Sequence, residues 1–231
     1  MTDLGGILFD KDGTLFDFRA TWEAWAAAFL LRAAEGDAAM ASRLGDRIGY
    51  DFERQSFAPG SIVIAGTPGD IAEALTGALD LSVPQIVALL NEEASRAPQR
   101  EAVPLAPFLN GLAARGLKLG VATNDAEAPA RAHLNAAGVL ARFDFIAGFD
   151  SGFGGKPAPG QLNAFCMATG LDAARVAMVG DSTHDLIAGK AAGMMRIAVL
   201  TGMAHADTLR PHADVVLDHI GQIPDWLDRQ G

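Results

Sequence analysis

With 231 residues, half of them hydrophobic and 20% charged, the chain has room for a core domain plus a smaller one, and it has the composition of an ordinary soluble globular protein. Its formal net charge of −10 is spread along the sequence, which argues against non-specific binding to nucleic acid or to an anionic membrane. Met1-Thr2-Asp3-Leu4 lacks the basic start of a secretory signal, no apolar run approaches the ~20 residues of a membrane span, and the single Cys166 excludes an internal disulfide, so a cytoplasmic chain is expected.

The first strand-like run, Gly6 to Phe9, leads into Asp10-Lys11-Asp12-Gly13-Thr14. If the extended geometry persists for two more residues, Asp10 and Asp12 project from the same side of the chain. Two acids held that close repel each other unless a cation or a proton lies between them. An EF-hand is excluded, because Gly13 is the fourth residue from Asp10 rather than the sixth and the bidentate Glu is absent.

About a hundred residues separate this strand from the next. The insert is alanine-rich and helical in pattern, over Trp22 to Ala34, Ala38 to Ile48, Asp70 to Leu79 and Val83 to Arg96. It is too long for a loop, and a helical cap domain over 17–100 is expected, inserted into a core made of 1–16 and 101–231. Asp17 reads as solvated or as a helix cap, and Trp22 and Trp25 as packing residues on one helical face. Arg47, Tyr50 and Arg54 are candidate cap contributors to a pocket.

From there, strand-like runs (Lys118 to Ala122, Phe143 to Ala147, Val176 to Val179, Arg196 to Leu200, Asp214 to Leu217) alternate with amphipathic segments. The latter are Phe108 to Arg115, Ala126 to Ala137, Gln161 to Thr169 and His184 to Ala192. Gly116, Gly138, Gly170 and Gly193 follow the helical segments as C-terminal caps. The alternation predicts the α/β class: a Rossmann-like parallel sheet with helices on both faces. Cys166 reads as a buried helix thiol. The five histidines, His133, His184, His205, His212 and His219, show no metal-ligand spacing and read as surface residues, with His184 close enough to the last polar group to border a site.

Ligands bind beyond the carboxyl ends of parallel strands, and four polar groups fall there: Asp10 with Asp12, Thr123-Asn124-Asp125, Lys156 after the Gly-rich Ser151 to Gly155, and Asp181 with Asp185. Each alone has an ordinary explanation, such as helix capping by Thr123 or Asn124 or a solvated Lys156. Together they pair acids suited to a hard divalent cation with donors suited to phosphoryl oxygens. That combination resembles a phosphoryl-transfer centre, with magnesium the natural ion.

On these residues the chain resembles the haloacid dehalogenase-like hydrolase superfamily, in its helical-cap branch that includes phosphoglycolate phosphatases. Asp10-Lys11-Asp12-Gly13-Thr14 is similar to the first motif, Thr123-Asn124 to the second, Lys156-Pro157 to the third and Gly180 to Asp185 to the fourth. The resemblance implies that Asp10 is the nucleophile and Asp12 the acid and base. It implies that Asp10, Asp181 and the backbone carbonyl of Asp12 bind Mg2+ with Asp185 in support. Thr123 and Lys156, with the backbone amides of Lys11 and Asn124, would hold the phosphoryl group. The expected activity is hydrolysis of a small phosphorylated metabolite by a monomer or homodimer, phosphoglycolate being one candidate ester. A phosphosugar mutase of the same branch is the alternative, and a phosphoacceptor signalling domain a more distant one. Asp12 argues against a dehalogenase, whose leaving halide needs no proton.

Overall fold

The six apolar runs become the strands of one sheet, in a computed structural model that describes residues 4–64 and 66–230. In chain order the strands are β1 (Gly6–Phe9), β2 (Tyr50–Asp51), β3 (Ser56–Phe57), β4 (Lys118–Ala122), β5 (Phe145–Ala147), β6 (Val176–Gly180), β7 (Met195–Val199) and β8 (Val215–Leu217). The helices are α1 (Phe18–Ala33), α2 (Ala38–Ile48), α3 (Pro68–Leu75), α4 (Val83–Arg96), α5 (Leu105–Ala113), α6 (Glu127–Ala136), α7 (Gly160–Thr169), α8 (Thr183–Ala192), α9 (Ala206–Leu209) and α10 (Ile223–Gln230). The main sheet runs β5-β4-β1-β6-β7-β8, with every pairing parallel. This is the Rossmann order, and its direction of winding reverses between β1 and β6.

Strand periodicity sorts the apolar side chains to two faces. Ile7, Phe9, Leu119, Val121, Ala177 and Val179 pack with Leu105, Leu109 and Leu112 of α5, Leu134 of α6 and Trp226 of α10. Leu8, Ala122, Val176 and Met178 pack instead with Leu162 and Phe165 of α7 and Ala188 of α8. Burial on both sides explains why these strands read as continuous apolar runs rather than as alternation.

The insert builds its own apolar cluster, from Phe18, Trp25 and Phe29 on α1 through Leu44 on α2 and Ile71 on α3 to Ile86 and Leu90 on α4. Met203, in the loop after β7, packs against it, and α4 lies against α6 of the sheet unit. The two chain crossings between the units run side by side. Asp17 N–H donates to the Arg100 carbonyl at 2.8 Å, Ala102 N–H donates to the Leu15 carbonyl at 2.9 Å, and Phe16 bridges Glu101 in antiparallel sense.

Sequence and structure differ in places. The short hairpin of β2 and β3 was not expected; each strand is two residues long, too short for alternation to register. The helices α9 and α10 were also not read. Gly170 and Gly193 are left-handed C-caps as expected, whereas α5 and α6 end on Ala114 and Ala137, with Gly116 and Gly138 just beyond at positive φ. Cys166 is half-buried rather than buried. Among the described residues, no helix is long and apolar enough to cross a membrane.

Candidate active site

The carboxyl ends of β1, β4 and β6 deliver the polar groups to one place. Asp10 continues β1, its amide donating to the Val179 carbonyl at 2.8 Å. Asp181 follows β6, and Asp185 lies in the first turn of α8, where it completes a capping box with Ser182. The carboxylates of Asp10, Asp181 and Asp185 offer oxygens within 4.8 Å of one another, and all three residues are buried. The Asp12 side chain is outside this trio. It turns to Lys11, whose Nζ is 2.9 Å from Asp12 Oδ1 and 2.8 Å from Oδ2.

Lys156 reaches the trio from the loop between β5 and α7. Its ammonium donates to Asp10 Oδ1 at 2.6 Å, Asp185 Oδ1 at 2.6 Å and the Ala122 carbonyl at 2.7 Å, so all three of its protons have acceptors. Asn124 fixes the backbone of that lysine: its Oδ1 accepts from Lys156 N–H at 2.8 Å and its Nδ2 donates to the Lys156 carbonyl at 2.9 Å. The Thr123 hydroxyl accepts from the Asp125 amide at 3.0 Å, and buried Gln161 donates to the Thr123 carbonyl at 3.0 Å. Thr123 and Asn124 line the same pocket as Asp10, Asp12, Lys156, Asp181 and Asp185.

The electrostatics of this cluster are short of positive charge. Burial pushes the Asp10 carboxyl up to about 7, with Asp185 and Asp12 adding to the rise and Lys156 opposing it. Burial, then Asp10 and Asp185, hold Asp181 well above the ordinary carboxylate range. Burial works against the charge on Lys156, but Asp10 and Asp185 outweigh it and raise its pKa. Three carboxylates against one ammonium leave two negative charges, which one divalent cation would balance.

The packing around Asp181 fits such an ion. A Cβ at Gly202 would lie 1.6 Å from Asp181 Oδ2, and one at Gly13, where φ is +82°, would lie 2.5 Å from it. Glycine at both positions leaves that carboxylate space that any side chain would fill.

Behind the site lies a second ionic group that the sequence reading missed. Lys11 is fully buried. Besides Asp12 it meets Asp125 Oδ2 at 3.2 Å, His133 Nδ1 at 2.9 Å and the face of Trp22, 5.5 Å from the ring centroid. His133 Nε2 lies 2.6 Å from the Ala94 carbonyl. A carbonyl can only accept, so Nε2 carries the proton and Nδ1 accepts from Lys11. The chain of contacts therefore runs from Asp12 through Lys11 and His133 to the end of α4.

Expecting His133 at the surface was an error: it is 2% exposed. The signal was present, since it shares a helical stripe with Pro129, Ala130 and Leu134, all buried, and that spacing marks an inward face. His184 does line the pocket. Asp17 caps α1, its Oδ1 accepting from Ala20 N–H at 2.8 Å. Trp22 and Trp25 pack edge to face with centroids 4.9 Å apart, and both also line the pocket. The cap candidates Arg47, Tyr50 and Arg54 do not. Arg47 donates to the Ala74 and Thr76 carbonyls, Tyr50 OH to the Glu23 carbonyl, and Arg54 pairs with Asp51 at the surface. Polarity alone had nominated them; helix packing turned them elsewhere.

A Rossmann-ordered sheet with an inserted helical unit and a buried acid cluster at the strand-order reversal defines an α/β protein whose ligand site lies at the carboxyl edge of the sheet. Comparison with known proteins specifies the family. The model for haloacid dehalogenase-like hydrolase matches residues 4–193, and the chain belongs to that family.

A phosphoglycolate phosphatase of Rhodospirillum rubrum is 37% identical over 52% of this chain and 50% of its own length. The chain thus spans about half of that relative. "Probable phosphatase IndB" of Dickeya dadantii is 33% identical over 94% of this chain and 90% of its own. An N-acetylmuramic acid 6-phosphate phosphatase of Pseudomonas aeruginosa is 30% identical over 98% and 96%. CbbY from Rhodobacter sphaeroides, solved in complex with phosphate, shares the fold with a TM-score of 0.73 at 21% identity, over 95% of this chain and 96% of that one. The family and these phosphatase-named relatives support phosphomonoester hydrolysis.

Proposed function

We propose that this chain is a Mg2+-dependent phosphatase of small-molecule phosphomonoesters that works through an aspartyl phosphate on Asp10. The observation that carries the reading is the buried trio of Asp10, Asp181 and Asp185 joined by Lys156 at the carboxyl edge of the sheet. Asp10, Asp181 and the Asp12 carbonyl would hold Mg2+ with Asp185 in support; the ion lessens repulsion between the nucleophile and the phosphoryl oxygens.

An Asp10 carboxylate oxygen attacks phosphorus while the bond from phosphorus to the ester oxygen breaks. The Asp12 carboxyl gives its proton to that oxygen, which leaves as the alcohol. Asp12, now a carboxylate, takes a proton from water as the water attacks phosphorus. The bond to Asp10 then breaks and inorganic phosphate departs. Thr123 and Lys156, with the Lys11 and Asn124 amides, orient the phosphoryl group. Residues 17–100 act as a cap whose apolar side closes over the leaving group and excludes bulk water. The proposed setting is the cytoplasm, where Mg2+ and phosphorylated metabolites occur together.

Asp10→Asn tests the reading. Phosphate release from a panel of monoesters in Mg2+ should fall to background while the circular dichroism and thermal transition stay native-like. Undiminished hydrolysis by the variant would overturn the assignment of the nucleophile. Isomerised sugar phosphate without net phosphate release from the unmodified chain would identify a mutase instead.

A further inference from the structure

The pocket has two unlike halves. The sheet side contributes the acid cluster and Lys156; the cap side contributes Phe18, Trp22, Trp25, Ile64, Ile71 and Leu90. Among the described lining residues, Lys156 is the sole lysine or arginine, and it bonds to Asp10, Asp185 and the Ala122 carbonyl, at the end of the pocket assigned to the phosphoryl group. The insert contains no lysine, and none of its arginines lines the pocket.

Two polar atoms interrupt the apolar cap wall. Trp22 is 8% exposed, and its Nε1 has no hydrogen-bond partner among the described residues. Asn91 Oδ1 is likewise buried without a partner among the described residues. The neighbouring Trp25 differs, since its Nε1 donates to the Leu90 carbonyl at 3.3 Å. Buried polar groups are paired in the great majority of cases, so an indole N–H and a carboxamide left over in a ligand pocket are groups to be matched by the ligand.

From this we infer that the pocket selects phosphate esters of uncharged, largely apolar alcohols bearing a neutral hydrogen-bonding group, over esters whose leaving group carries a carboxylate. This deepens the phosphatase reading and rests on it. A neutral hydroxyl or amide on the leaving group accepts from Trp22 Nε1–H and donates to Asn91 Oδ1, while its carbon skeleton lies against Phe18, Ile71 and Leu90. A carboxylate in the same place would be desolvated with no cation beside it and would face a pocket already rich in carboxylates.

The test uses a matched pair of esters, 2-phosphoglycolate and 2-hydroxyethyl phosphate, which differ in one carboxylate. The intact chain in Mg2+ should show at least about tenfold higher kcat/KM for the hydroxyethyl ester. Asn91→Arg, which brings a cation to the cap wall, should reverse or erase that ratio. Asn91→Leu should lower kcat/KM for the hydroxyethyl ester about tenfold more than for phenyl phosphate, which has nothing to bond there.

Calorimetric binding of both esters to the Asp10→Asn variant in Mg2+ reads the same preference without turnover. Equal or tighter binding of phosphoglycolate there, or its faster hydrolysis by the unmodified chain, overturns the inference. If the hydroxyethyl ester binds more tightly to that variant while the unmodified chain hydrolyses neither, the pocket inference stands and the phosphatase reading fails.

Discussion

Lys11 and His133 show how a single buried charge organises its neighbours. Burial opposes the charge on Lys11, but Asp12 and Asp125 outweigh it and raise the pKa. That same ammonium, after burial itself, drives His133 down to about 4. The linkage follows directly. A histidine whose folded pKa lies below its unfolded value near 6.5 contributes nothing to the pH dependence above 6.5. As pH falls from about 6.5 towards 4 the unfolded chain takes up a proton that the folded chain refuses, and stability drops by up to about 3 kcal/mol. Lys11, Asp12 and the Ala94 carbonyl are the charged or polar groups that set this behaviour. Urea unfolding of His133→Gln should therefore show a flatter acid limb between pH 6.5 and 4 than the unmodified chain; parallel curves would rule out a neutral folded histidine. Asp10, Asp12 and Asp181 were legible as candidates because they closely follow strands, and Lys156 because it lies in the loop beyond another. The Lys11–His133 contact spans 122 residues, and no local pattern specifies which buried cation meets which helix.

At the level of elements, α2 and α4 coincide with their expected limits, because strong caps bound a clear amphipathic run. In α2 the Asp37 side chain accepts from two amides, and Gly49 closes the other end in the left-handed region. The start of α1 lies four residues before the expected one: Phe18, Thr21 and Trp22 are buried while Arg19 and Glu23 pair on the outer side. Its cap is Asp17, which also pairs with Arg100. Asp17→Ala should cost about 1 kcal/mol and lower the melting temperature by about 2–4 °C. Asp17→Asn, which keeps the acceptor, should recover most of that loss in the same calorimetric scan. If the asparagine substitution loses as much as the alanine one, the weight shifts from the cap to the ion pair.

For the molecule as a whole, the proposed Mg2+ site would make metal supply a stability variable. Saturating Mg2+ at about 100 times its Kd should add about 2.7 kcal/mol, read as a higher melting temperature than in chelator. Asp181→Asn should lose that response yet be at least as stable as the unmodified chain in chelator, because one of three mutually repelling carboxylates is gone. A variant that melts lower in chelator and still responds to Mg2+ would contradict the charge balance. The parallel sheet and the inserted unit were readable from strand-helix alternation and one overlong gap; the strand order is seen only in the fold, and the apolar wall facing the acids was not legible, since it is assembled from separate helices and a loop. The paired crossings between the units have a mechanical consequence. Two extended segments paired edge to edge resist sliding past each other, so any opening of the α4–α6 contact would let the insert nod about them while keeping it from swivelling. Exchange protection of the Asp17 and Ala102 amides should accordingly persist when an ester enters, while amides along the rim of the opening change.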